Sequence, residues 1–180
     1  MQIVHSLETG KPVKIVCFGD SITGQYYHTG GRRAWTQALG QTLRGLYPQA
    51  LIEMINAGIG GNTSANGLER MDADVLAHKP NLIIAMFGMN DTARLTTEDL
   101  RSNLRQIVQK AQKSGSEIIL MTPNAVADND PIRPPEKLKA FAETVREVAR
   151  ESDLILVDTH QVYAEVRETN PSEWIRLMSD

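Results

Sequence analysis

The groups with chemical potential sit in three short loops. Ser21 lies in "CFGDSITGQ" (17–25), Gly58, Gly60 and Gly61 lie in "NAGIGGNTS" (56–64), and Asn90 with Asp91 lies in "FGMND" (87–91). Attack on an acyl carbon requires a nucleophilic oxygen, a base to take its proton, and donors aimed at the oxyanion that develops. A serine directly after an apolar run supplies the oxygen, with its own N–H on the same rim, and Gly19 lets the chain turn sharply there. Free N–H groups of a glycine-rich stretch ahead of a helix attract negative charge, and a side-chain amide can donate to an oxyanion. Each loop alone also has a plainer reading. Gly-Asp-Ser is a common turn, glycines serve turns of positive φ, Asn62 and Thr63 read as capping residues, and Asn90 and Asp91 are frequent turn formers. The glycine spacing matches neither G-x-G-x-x-G nor a P-loop with its lysine, which counts against nucleotide binding.

Periodicity supplies the elements that must position these loops. Five apolar runs of strand length recur: 13–18, 51–56, 81–87, 117–122 and 154–158. Segments with helical spacing lie between and after them, at about 33–46, 64–78, 97–113, 135–151 and 159–168. Strands that are apolar on both faces and alternate with helices predict a parallel sheet covered on both sides, a three-layer α/β/α domain. Ligands bind beyond the carboxyl ends of such strands, and that is where all three loops fall. Thr63 and Thr96 are expected to cap helices, with Asp99 completing a capping box, Gly115 ending the helix that Thr96 starts, and Pro135 opening the next one. "NDPIRPP" (129–135) reads as a rigid loop at the same rim.

Taken together and in order, "GDSITGQY" (19–26), "NAGIGGNTS" (56–64) and "GMND" (88–91) resemble the Ser, Gly and Asn blocks of the SGNH hydrolases, the GDSL-like lipase/acylhydrolase family. The resemblance runs from about Lys14 to the last residue. It implies a flavodoxin-like five-stranded parallel sheet of order 2-1-3-4-5 and hydrolysis of esters or thioesters with no cofactor or metal. It further implies that Ser21 is the nucleophile, and that the Ser21 N–H, the Gly61 N–H and the Asn90 amide bind the oxyanion.

The fourth block of that family, Asp-x-x-His, is absent from the 180 residues. The histidines are His5 in the N-terminal tail, His28 after the Ser block, His78 ahead of Pro80, and His160. Asp158 sits two residues before His160, which is the wrong spacing, and reads as a helix cap beside a surface histidine. "LMSD" (177–180) resembles the lead into Asp-x-x-His, so Asp180 is the expected triad carboxylate and the base is expected three positions beyond it. The expectation is therefore a single domain over 1–180 that lacks its C-terminal His segment and final helix, and that is inactive for want of the base. His28 is a second-choice base or a substrate contact, and "YYHTGGRR" (26–33) is expected to shape the pocket. Arg70 and the "NDPIRPP" loop read equally as pocket contributors or as solvated surface.

Composition narrows the partners. A net charge of −3 with acids and bases interleaved offers no basic surface for nucleic acid or an anionic membrane. A small-molecule ester is the expected partner. The single cysteine, Cys17, falls in an apolar run and reads as a buried inert thiol. No stretch approaches the roughly 18 apolar residues of a membrane span, and no secretory leader is visible, so a cytoplasmic location is expected. Two rivals remain at this stage. One is a non-catalytic module of the same fold that binds a carboxylate or carbohydrate; the other is a flavin or nucleotide binder, which the Ser-Gly-Asn pattern disfavours.

Overall fold

The computed structural model describes residues 2–24 and 33–177. His28 and all of the 26–33 stretch except Arg33 lie outside those residues, as does Asp180. Five strands form one parallel sheet in the order β2-β1-β3-β4-β5: β1 (Val13–Gly19), β2 (Ile52–Gly58), β3 (Leu82–Met86), β4 (Glu117–Met121) and β5 (Ile155–Val157). The order and the β-α rhythm are those expected.

β1, β2, β3 and β4 each feed two cores because alternate side chains leave opposite faces of a sheet. Val16 and Phe18 of β1 join Ile83 and Ala85 of β3 in one cluster, while Val13, Ile15 and Cys17 join Leu82 and Ile84 in the other. Three helices carry the apolar residues that close the first cluster. They are α3 (Ser64–Asp74) with Met71, α5 (Thr97–Lys113) with Leu100, Leu104 and Ile107, and α6 (Pro135–Glu151) with Phe141, Val145 and Val148. Full burial of a side chain such as Phe141 stabilises the fold by about 1.5–3 kcal/mol. The second cluster is closed by α1 (Gln2–Glu8) and α2 (Trp35–Leu46). Burial there pushes the Cys17 thiol up to about 12, so at neutral pH it stays an inert protonated group, as its apolar setting predicts.

The helix boundaries follow the capping chemistry. Thr63 accepts the Asn66 N–H, Thr96 and Asp99 exchange bonds in a capping box, and Pro135 is the first residue of α6. Gly115 adopts φ +83°, which lets the chain leave α5. The window 64–78 divides into α3 and a separate 3₁₀ turn, Leu76–His78.

Three short helices escaped the periodicity reading: α1, α4 (Asp91–Arg94) and α8 (Pro171–Leu177). His5 is therefore helical and not part of a loose tail. The remaining helix, α7 (Thr159–Thr169), follows β5, whose Ile155 and Val157 stay 50% and 42% exposed at the sheet edge. Among the described residues no helix is long and apolar enough to cross a membrane.

Candidate active site

Register brings the loops together. Gly19 pairs with Gly58 on one side and Met86 on the other, so the chain leaves β1, β2 and β3 at one level of the sheet. Residues 20–24 then fold over the end of β2, with the Gly24 N–H donating to the Asp20 carbonyl at 3.0 Å. A side chain at Gly58 would place its Cβ 2.4 Å from the Gly24 nitrogen, so only glycine lets these segments approach. Asn56 locks the same contact. Its amide donates to the Thr23 carbonyl at 2.7 Å and to the Thr36 hydroxyl at 3.0 Å, while its oxygen accepts the Gly58 N–H at 2.9 Å.

Beyond β2 a turn closes where the Asn62 N–H donates to the Ile59 carbonyl at 3.2 Å. Gly61 occupies this turn at φ +75° with open space where a Cβ would stand, and Arg94 donates to its carbonyl at 2.6 Å. Beyond β3, the buried Asn90 amide donates to the Asn62 carbonyl at 3.0 Å and to Asp20 Oδ2 at 3.4 Å. Asn62 is the neighbour of Gly61, and Asp20 is the neighbour of the half-buried Ser21. One side chain thus spans all three blocks.

The loop carrying Asn90 is pinned from below. Asp91 is fully buried and accepts from the Ser64 N–H at 2.9 Å, from the Ser64 hydroxyl, and from the Gly88 N–H at 3.2 Å. Asn103 of α5 donates in turn to the Ser64 hydroxyl at 2.9 Å. Asp91 is more than a turn former. It joins the start of α3 to the loop after β3.

A family model of the GDSL-like lipase/acylhydrolases matches residues 17–177. The chain belongs to the GDSL-like lipase/acylhydrolase family. This acylhydrolase is 29% identical to an acetylxylan esterase of Geobacillus stearothermophilus, over 91% of its own chain and 83% of that enzyme. The solved structure of that esterase superposes with a TM-score of 0.73, covering 87% of this chain and 80% of the other. A lipase/acylhydrolase from Enterococcus faecalis superposes at 0.75 with 28% identity, over 85% and 79% of the two chains. The thioesterase 1/protease 1/lysophospholipase L1 of Escherichia coli K12 is 30% identical over 59% of this chain and 49% of its own length. Three solved structures of the Geobacillus esterase are of catalytic mutants, replaced by alanine at a serine, an aspartate and a histidine, the last two in Asp-x-x-His spacing. The acylhydrolase is a carboxylic-ester hydrolase of the SGNH type, and a purely ligand-binding role is not favoured.

Within this acylhydrolase Asp20 is 1% exposed, and burial pushes its carboxyl up to about 6 against the Ile22 N–H that it accepts at 2.9 Å. Neighbouring Asp91 pushes the same way, and the charge of Arg133, from the proline-rich loop, opposes. Folded Asp20 binds its proton more tightly than the unfolded chain, whose aspartates titrate near 3.9. Its contribution to stability therefore falls as pH rises from about 4 through 6, by roughly 3 kcal/mol for a two-unit shift at 1.36 kcal/mol each. Asp20→Asn is expected to be more stable than the wild type by about 1–3 kcal/mol at pH 8 and to lose that gain by pH 4. Urea unfolding at both pH values measures it, and a pH-independent difference would contradict it.

The Asp158–His160 pair does not assemble a base. Both Asp158 oxygens bind the Arg146 guanidinium, at 2.8 and 3.0 Å, and Oδ1 also accepts from the Thr122 hydroxyl at 3.0 Å and the Gln161 N–H at 3.2 Å. Burial alone would raise this carboxyl, but those partners hold it below the ordinary value. Asp158 is the cap of α7, as its position predicts. His160 is half-buried, not a surface residue, and burial followed by the Arg146 charge lowers its pKa. Arg70 is no loop-surface residue either. It is anchored to the Asn62 side chain and the Gly19 carbonyl.

Proposed function

We propose that the chain removes small acyl groups, acetyl above all, from carbohydrate alcohols through an acyl-enzyme on Ser21. The observation that carries the site is the Asn90 amide, bonded at once to the neighbour of Gly61 and to the neighbour of Ser21. Support for the substrate comes from the breadth of the match to an acetylxylan esterase, 91% of this chain, against 59% for the thioesterase.

In this reading Ser21 Oγ attacks the ester carbonyl as a histidine takes its proton. The N–H groups of Ser21 and Gly61 and the Asn90 amide hold the oxyanion, with Asn90 exchanging its long bond to Asp20 for the shorter one to the intermediate. Collapse expels the alcohol, which receives the proton, and water then frees the acyl group as a carboxylic acid. The reading assigns the orienting carboxylate to Asp180 and the base to a histidine three positions beyond it.

Hydrolysis of 4-nitrophenyl acetate, 4-nitrophenyl dodecanoate and acetylated xylo-oligosaccharides is the test. It compares the 180-residue chain with a version extended past Asp180 so that a histidine stands three positions on. Activity is expected mainly in the extended form, with the dodecanoate cleaved least. Equal activity in both forms would bring His160 or His28 forward as base, and preference for the dodecanoate would overturn the carbohydrate-ester assignment.

A further inference from the structure

Arg70 lies outside the three loops, on α3. Its guanidinium nevertheless grips two of them. Nε donates to Asn62 Oδ1 at 2.7 Å, and an Nη donates to the Gly19 carbonyl at 2.9 Å. The other Nη donates to Asp74 at 3.1 Å, and the guanidinium carbon sits 4.8 Å from the centre of the Phe18 ring. Only 14% of the side chain is exposed.

Both acceptors are informative. The Gly19 carbonyl, which also accepts the Ile59 N–H at 3.1 Å, belongs to the residue before Asp20-Ser21. Asn62 follows Gly61, and its own carbonyl holds the Asn90 amide at 3.0 Å. A planar cation with donors in a fixed fork sets the distance and the angle between two acceptors at once, which a lysine ammonium on a flexible stem does not. The aromatic face of Phe18 holds the plane of that fork, and Phe18 is itself wedged edge-on against Phe87 at 5.0 Å.

We propose that Arg70 is a positioning residue for ester hydrolysis, a strut that fixes the Gly61 N–H and the Asn90 amide against Ser21. The assignment rests on the oxyanion reading of Gly61 and Asn90. Arg70 touches no reacting atom in it. Without the strut the turn at 59–62 is held by the Arg94 contact, the Asn90 amide and the backbone bonds of Ile59 and Asn62, none of which ties the Asn62 side chain to the Gly19 carbonyl at a set angle, and its donors drift from the place where the oxyanion forms. A displacement near 1 Å costs about 10²-fold in rate, and the loss falls on the transition state more than on ground-state binding.

The test compares Arg70→Lys with Asp74→Ala in the extended enzyme. Arg70→Lys keeps the charge and most of the aliphatic stem, so it is the variant that folds. For 4-nitrophenyl acetate it is expected to lower kcat by about 10–100-fold while KM stays within about threefold. Amide hydrogen exchange at Ile59 and Asn62 should quicken by about tenfold or more, with β4 amides unchanged. Asp74→Ala, which removes only the partly exposed ion pair, is expected to leave kcat and exchange as they were. Wild-type kcat in Arg70→Lys, or unaltered exchange at both amides, would overturn the strut. An unmutated enzyme that cleaves no ester sinks the oxyanion reading instead, and the exchange rates then decide the strut alone.

Discussion

Ser21→Ala is expected to lower kcat for 4-nitrophenyl acetate by at least about 10⁴-fold in the extended enzyme, with little change in KM. Removing Oγ removes the atom that forms the acyl-enzyme, so hydrolysis can proceed only by direct attack of water. The oxyanion donors survive the substitution, because the residue 21 N–H, the Gly61 N–H and the Asn90 amide are untouched. A residual rate above the uncatalysed one is therefore expected, of the order seen when a triad member alone is lost. Ser21 is half-buried on a turn, and its loss should cost under about 1 kcal/mol of stability. Steady-state rates, with mass spectrometry to detect acetyl on the protein, distinguish the cases. Turnover within tenfold of wild type, or an acetyl adduct on the alanine variant, would remove Ser21 from the mechanism.

The second large effect is at Asn90. Asn90→Ala is expected to lower kcat by about 10²–10³-fold, the 2.7–4 kcal/mol typical of one lost oxyanion donor. Asn90 is buried, and its truncation also strips the Asn62 carbonyl of its donor, which costs about 1–3 kcal/mol of stability. The two losses separate by measurement. Urea unfolding reports the second, and kcat measured well below the unfolding midpoint reports the first. A variant with near-normal kcat but reduced stability would make Asn90 a purely structural link between Asp20 and Asn62.

The strands were legible because their signal is local. Each run is apolar on both faces, is followed by turn chemistry, and needs no knowledge of its neighbour to be read as a parallel strand, although at the edge strand β5 the expected cover on both sides is missing and Ile155 and Val157 stay exposed. The same holds for α5, where Thr96 and Asp99 sit three residues apart and cap within one turn. By contrast α1 is capped from far away. Glu117 accepts the N–H groups of Gln2 and Ile3 at 2.9 and 2.7 Å across more than a hundred residues, and no pattern in seven residues announces that partner.

The site divides in the same way. Ser21, Gly61 and Asn90 could be picked out because strand ends and glycine-rich turns mark the rim, and because their order resembles a known family. Asn56, Ser64 and Asn103 could not, and for Arg70 and Asp91 the residue type left a role at the site and a plain surface or turn role equally open. Their roles depend on which side chain faces which across packed elements.

What the sequence determined by itself was the five strands and the five longer helices, their sheet order through family likeness, and the rim on which a serine, a glycine turn and an amide would gather. Only the tertiary structure decided that the Asn90 amide bridges the neighbours of Gly61 and Ser21, that Asp91 ties α3 to the loop bearing Asn90, and that Arg70 clamps two blocks. The physical reason is range. Periodicity and capping act within a few residues, whereas a hydrogen bond between loops exists only after the whole sheet has set their separation.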